Sequence, residues 1–206
     1  VGAQSPTVTT AASYEVAEGS TVQLSATGTD PNNDPLSYAW DLDNSGDYET
    51  AGQSVIFSAI NRDGPDSQTV GVQVMDDGGL TGTETAVVAI RNVTPTASAG
   101  SDQIVYVNET VYLSGTWSDP AGSLDNPYRW SWDLDGDGVA DIQGTADFAT
   151  TITQTTRFAQ SGIYTLTFVV IDKDNGRSAA TLQIEVLGQP ATCDVTAPGV
   201  NVIQGT

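Results

Sequence analysis

The chain has 206 residues, with six Lys plus Arg against 26 Asp plus Glu, a formal net charge of −20 and no histidine. Such a surface repels nucleic acid and anionic headgroups, which excludes both as partners. No apolar stretch reaches the length of a membrane-spanning helix, and a single cysteine, Cys193, supports neither a disulfide framework nor a thiolate metal site.

Taken in chain order, the apolar residues alternate with a period of two. Ser5-Pro6-Thr7 opens the first segment, and Val22, Leu24 and Ala26 then face one side of a strand. Tyr38 and Trp40 share a face two residues apart, and Val70, Val72 and Val74 form another one-sided run. After a second proline boundary, Thr94-Pro95-Thr96, the pattern returns through Trp130 with Trp132 and through Tyr164, Leu166, Phe168 and Val170. Clusters of Gly, Pro, Asn, Asp and Ser separate these runs at strand-length spacing, which predicts an all-β sandwich. The four paired aromatics are expected in the core.

The chain also repeats itself. Thr21-Val22-Gln23-Leu24-Ser25-Ala26-Thr27-Gly28-Thr29-Asp30-Pro31 returns 89 positions later as Thr110-Val111-Tyr112-Leu113-Ser114-Gly115-Thr116-Trp117-Ser118-Asp119-Pro120. Trp40-Asp41-Leu42-Asp43 returns as Trp132-Asp133-Leu134-Asp135, and Val202-Ile203-Gln204-Gly205-Thr206 echoes Val16-Ala17-Glu18-Gly19-Ser20. A period of this length makes each repeat one folding unit. The expected organisation is residues 1–92 as one sandwich, 93–187 as a second, and 188–206 as a linker plus one strand. That strand is either the start of a third repeat or a segment that adds to the sheet edge of another copy and builds a filament.

Twenty of the 26 acids are Asp, a residue of turns and oxygen-ligand loops rather than of helices. Asp133-Leu134-Asp135-Gly136-Asp137-Gly138-Val139-Ala140-Asp141 places carboxylates at positions one, three, five and nine of an EF-hand-type loop, with Gly at six. Ca²⁺ takes six to eight hard oxygens at about 2.3–2.6 Å, and alternating Asp on a Gly-bent loop can converge on one point. The twelfth position is Gly144 rather than a bidentate Glu. The first repeat offers Asp41, Asp43 and Asp47 in the corresponding loop. The alternative in both copies is an acidic turn whose Asp and Gly suit the backbone.

Four features resemble the polycystic kidney disease (PKD) domain family of immunoglobulin-like sandwiches. They are Glu18-Gly19-Ser20-Thr21-Val22-Gln23-Leu24, the aromatic-x-Trp-Asp strands ending in Trp40-Asp41 and Trp132-Asp133, Gly162-Ile163-Tyr164-Thr165-Leu166-Thr167, and the acidic turns after Val74 and Val170. The resemblance implies two tandem immunoglobulin-like β-sandwiches, extended, in an extracellular or cell-surface protein. It also implies a tyrosine corner at Tyr164, absent from the first copy, where Gln68 stands.

In that topology a second acidic cluster forms at the end where the chain enters each sandwich. It joins Asp30, Asn32 and Asp34 to Asp76 and Asp77 in the first copy, and Asp119 and Asp125 to Asp172 and Asp174 in the second. Some PKD domains bind Ca²⁺ through an Asn of the entering linker and an Asp of the first such loop. Asn92 and Asp119 are the matching residues here. The Asp41–Glu49 loop is expected to face the second domain, so that carboxylates of both domains crowd one junction. A cation would relieve their repulsion and lock the hinge; the alternative is a solvated acidic rim.

Catalysis is not expected, for want of histidine and of any activated nucleophile. The expected function is that of a calcium-stiffened spacer or adhesive stalk whose partners are neighbouring repeats. Two alternatives stay open, a filament-forming homo-oligomer and a polysaccharide-binding module. The second would use exposed aromatics, with Trp117, Tyr48, Tyr128 and Tyr14 as candidates.

Overall fold

The computed structural model describes residues 2–189. The first sandwich contains β1 (Thr7–Thr10), β2 (Ser13–Ala17), β3 (Thr21–Thr29), β4 (Ser37–Asp41), β5 (Thr50–Ala51), β6 (Ser54–Ser58), β7 (Asp66–Met75) and β8 (Thr81–Arg91). The second contains β9 (Thr96–Ser98), β10 (Gln103–Tyr106), β11 (Val111–Ser118), β12 (Tyr128–Asp133), β13 (Ile142–Ala146), β14 (Ile152–Thr156), β15 (Gly162–Ile171) and β16 (Arg177–Leu187). A 3₁₀ turn, Gly122–Asp125, interrupts the β11–β12 connection.

Each domain packs a three-stranded sheet on a five-stranded one. The orders are β1-β3-β6 against β2-β8-β7-β4-β5, and β9-β11-β14 against β10-β16-β15-β12-β13. The two domains thus share one topology. In each, the opening segment leaves one sheet and joins the other, pairing in parallel with the last strand: Val16 lies opposite Ile90, and Val105 opposite Val186. All other pairings are antiparallel.

The predicted alternation sets the register. Val70, Val72 and Val74 on β7 are fully buried, as are Leu166, Phe168 and Val170 on β15. Trp40 lies opposite Val72 and Trp132 opposite Phe168, and both indoles are fully buried. Each such side chain contributes ~1.5–3 kcal/mol or more by leaving water. Trp117 lies on the same face of β11 as Val111 and Leu113, 5.3 Å from Tyr128 between ring centroids. It belongs to the core.

The tyrosine corner forms where it is expected, with Tyr164 Oη donating to the Gln160 carbonyl at 3.1 Å. In the first domain Gln68 instead accepts from Arg62 Nη1 at 3.0 Å and donates to the Thr69 carbonyl at 2.8 Å. The terminal strand expected within 188–206 lies outside the described residues, apart from the first two positions.

Candidate metal centre at the domain junction

The strand order brings one end of the first sandwich against the entry end of the second. The first domain supplies the β2–β3 turn, the β6–β7 loop and the end of β8. The second supplies the β11–β12 loop with its 3₁₀ turn and the β15–β16 turn.

Two glycines permit close packing here, one across the junction and one against the end of β8. Gly19, in the β2–β3 turn, has φ +69°, and a Cβ there would lie 2.6 Å from Pro120 Cβ. Gly64, in the β6–β7 loop, has no room for one either, since it would meet the Asn92 nitrogen at 2.4 Å. Between them sits Glu18, only 1% exposed. Its Oε2 accepts from the Gly64 N–H and its Oε1 from the Val93 N–H, each at 2.8 Å. This carboxylate ties the turn, the loop and the linker into one unit. Burial is the largest influence on Glu18 and raises its pKa against those two hydrogen bonds.

On the other side, Asp125 and Asp172 are fully buried and Asp119 is 9% exposed. Ligand oxygens of the three lie within 4.8 Å of one another, and those of Glu18, Asp63 and Asp125 form a second such group. Asp119 Oδ1 accepts from the Ala121 N–H at 2.9 Å, and Asp172 Oδ1 from the Gly176 N–H at 2.7 Å. Asn92 Nδ2 donates to Asp172 Oδ2 at 3.1 Å, which brings the linker into the cluster.

Three buried oxygens here have no hydrogen-bond partner: Asn92 Oδ1, Asp119 Oδ2 and Asp125 Oδ2. Buried acceptors without partners are costly, and carboxylates this close repel as well. Asp125 responds by holding its proton: burial, with Asp119 beside it, pushes its pKa up to about 8. Asp119 is raised for the same first reason. A hard divalent cation satisfies such oxygens directly, and the donor set is one that suits Ca²⁺.

The other acidic groups differ. Asp30, Asp34 and Asp76 come within 4.8 Å at the entry end of the first domain, and Asp30 Oδ2 is buried and unpartnered. There Asn32 Oδ1 accepts from the Gln4 N–H at 3.0 Å, while Asp77 is exposed and outside the group. The pKa of half-buried Asp34 is raised, by desolvation first and then by Asp77, Asp30 and Asp76.

In the Asp133–Asp141 loop, Asp133, Asp135 and Asp141 cluster, but Asp137 stands outside that group. The loop mostly satisfies itself. Asp133 accepts from Gly136 and Gly138 N–H at 2.7 and 2.9 Å, and Asp141 Oδ2 accepts from the Leu134 N–H at 2.7 Å. In the first copy Asp41 is turned onto the Ser45 and Gly46 amides, whose hydrogen bonds lower its pKa despite burial. Asp41, Asp43 and Asp47 do not form a converging group among the described residues.

The Asp41–Glu49 loop therefore does not carry the junction. The first domain's acids there are Glu18 and Asp63, joined by Lys173 from the second domain, whose Nζ lies 2.7 Å from Asp63 Oδ2. The sequence reading missed all three. Glu18 left a signal: it stands where the second copy has Val107, a partly buried apolar position. Asp63 and Lys173 left none, because only the packed loops bring them together. Asp174, expected in the cluster with Asp119, Asp125 and Asp172, lies outside both converging groups and contacts Lys173 instead.

Of the proposed sugar-binding aromatics, Trp117 and Tyr128 are buried and Tyr14 and Tyr48 are only partly exposed. Trp117 and Tyr128 are in the core, Tyr48 lies over Gly71, and the Tyr14 hydroxyl is bonded to Thr10 and Ser25. The exposed tyrosines are Tyr106 and Tyr112.

Comparison with known proteins bears on the fold. Residues 99–186, most of the second sandwich, match a family model described as K319L-like, PKD domain, and this segment has the immunoglobulin-like strand order described above. Among solved structures, the chain is similar to the fibronectin(III)-like modules of Clostridium thermocellum CbhA, at 16% identity and TM-score 0.38, covering 88% of this chain and 94% of that one. It is also similar to the PKD domain of an M14-like peptidase from a Thermoplasmatales archaeon, at 18% identity and TM-score 0.40, covering 46% and 97%. A third is Bacteroides ovatus SGBP-B, in complex with a mixed-linkage heptasaccharide, at 13% identity and TM-score 0.34, covering 89% and 48%. No curated protein matches the sequence. No helix among the described residues is long and apolar enough to cross a membrane.

Proposed function

We propose that this chain is a non-catalytic, extracellular tandem-repeat module whose domain junction binds Ca²⁺ and is stiffened by it. The observation that carries the reading is the convergence of Asp119, Asp125 and Asp172 beside Asn92, with three buried oxygens lacking partners. Asn92 belongs to the linker, so an ion held there fixes the entry of one sandwich relative to the exit of the other. Each oxygen taken up by the ion removes an unpaired acceptor, and two positive charges offset the mutual repulsion of the acids. The role that follows is mechanical: a spacer or stalk that holds an attached element at a set distance and direction.

The test is thermal unfolding in excess EDTA and then in millimolar Ca²⁺, with Mg²⁺ as the control. Linkage gives about 2.7 kcal/mol of stabilisation at a hundredfold excess of ion over its dissociation constant. A Ca²⁺-specific rise of the melting temperature that Asp119→Asn abolishes supports the reading. An equal rise in that variant would place the ion elsewhere, and no rise at all would end the calcium proposal.

A further inference from the structure

The acidic junction already contains one cation, and it is part of the chain. Lys173 Nζ lies 2.7 Å from Asp63 Oδ2 and 3.4 Å from Asp125 Oδ1, and it also contacts Asp174. Its partners come from both domains, and its side chain is only 29% exposed. The junction carboxylates form two overlapping triads that share Asp125: Glu18–Asp63–Asp125 and Asp119–Asp125–Asp172. The ammonium contacts Asp63 and Asp125 in the first triad. It makes no ion pair with Asp119 or Asp172.

The two oxygens of Asp125 differ in their partners. Oδ1 faces the ammonium, whereas Oδ2, on a fully buried residue, has no partner. We propose that Lys173 is a tethered counter-ion that fills the Glu18–Asp63–Asp125 triad, so that the junction takes one divalent cation rather than two. The proposal rests on the reading of Asp119–Asp125–Asp172 as the divalent site and adds what sets its stoichiometry.

The chemistry of an ammonium suits this role. It is a compact point charge with three donors, and it occupies the kind of space a small cation does. It cannot dissociate into solvent, so it holds Asp63 of one domain against Asp125 of the other whether or not calcium is present. Replacing it with a neutral side chain leaves three oxygen ligands with no cation among them, two of them on residues at least 99% buried. A second divalent ion then has both the ligands and the electrostatic reason to enter.

The experiment counts Ca²⁺ bound per chain at equilibrium for the wild type, Lys173→Gln, Lys173→Arg and Asp119→Asn, and records the melting temperature of each in EDTA and in saturating Ca²⁺. Lys173→Gln is expected to bind one more ion than the wild type. It should melt lower in EDTA and recover most of that loss in Ca²⁺. Lys173→Arg keeps the charge and should bind the wild-type number. An unchanged count in Lys173→Gln, or failure of that variant to fold even in saturating Ca²⁺, would overturn the counter-ion assignment. Asp119→Asn reads the other site separately. One ion fewer supports the divalent site, whereas the wild-type count would overturn that site and leave the Lys173 result standing by itself.

Discussion

The side-chain amide of Asn92 donates to Asp172 Oδ2 at 3.1 Å, linking the chain that leaves the first sandwich to the β15–β16 turn of the second. The amide's other end, Oδ1, is buried and unpartnered beside the acids. Asn92 thus has one end engaged and one free, and in the proposed site a bound cation would give the free oxygen its partner. Asn92→Ala is expected to keep both domains folded but to weaken Ca²⁺ binding about tenfold or more. Titrations of the variant and the wild type, followed by unfolding temperature, check this.

Asp125→Asn separates the two costs of the site. In EDTA it removes a buried group whose charged form is opposed by Asp119 and Glu18. The ion-free variant should therefore melt higher than the wild type, with each kcal/mol gained worth about 2–4 °C in a chain of this size. In Ca²⁺ the order should reverse, because the variant has lost a charged ligand. Crossing of the two melting orders between EDTA and Ca²⁺ is the signature. A variant that is lower in both would mean that Asp125 acts only as a structural hydrogen-bonding group.

The pH dependence of the ion-free protein follows from the same residue. The pKa of Asp125 is pushed up to about 8, far above the usual carboxylate range, burial being the first cause, and the groups facing it are Asp119, Asp172, Asp63, Glu18 and Lys173. Its folded-state pKa lies above its unfolded value, so the folded protein binds more protons between the two. The stability it contributes is fully present below the unfolded pKa and is lost as pH rises through about 8. Asp119 and Glu18 are raised too and add in the same direction. Stability in EDTA should fall between about pH 4 and about pH 8 more steeply in the wild type than in Asp125→Asn. Equal slopes would show that Asp125 does not titrate in that window.

Much of the fold was legible because period-two alternation and an internal repeat are local signals. Val70, Val72 and Val74 had to share a face, and so did Trp130 and Trp132. The entry-end cluster was legible for the same reason: Asp119, Asp125 and Asp172 sit in turns whose positions the strand order sets. The other half of the junction was not, since Asp63 and Lys173 are 110 positions apart and meet only through the docking of two domains. The Asp41–Glu49 loop misled because its acids have the same composition as a ligand loop. Asp41 and Asp43 turn oxygens onto the loop's own amides instead, Asp41 onto Ser45 and Gly46 and Asp43 onto Ser45. Composition alone does not separate an acid that caps a turn from one that waits for a cation.

That distinction sets the last expectation. Asp135→Asn with Asp137→Asn alters the loop that most resembles a calcium motif. Yet Asp137 is outside the converging group, and its Oδ1 accepts from the Val139 N–H at 2.7 Å. Asp135 Oδ1 likewise accepts from the Asp137 N–H at 3.2 Å. An Asn side-chain oxygen can accept both bonds, so the loop should keep its shape, and the Ca²⁺-dependent rise in melting temperature should remain mostly intact. Asp119→Asn, measured beside it, should lose that rise. If the double variant loses the rise and Asp119→Asn keeps it, the ion that stabilises this protein sits in the exposed hairpin loop, and the junction acids are held together by Lys173 and their shared protons.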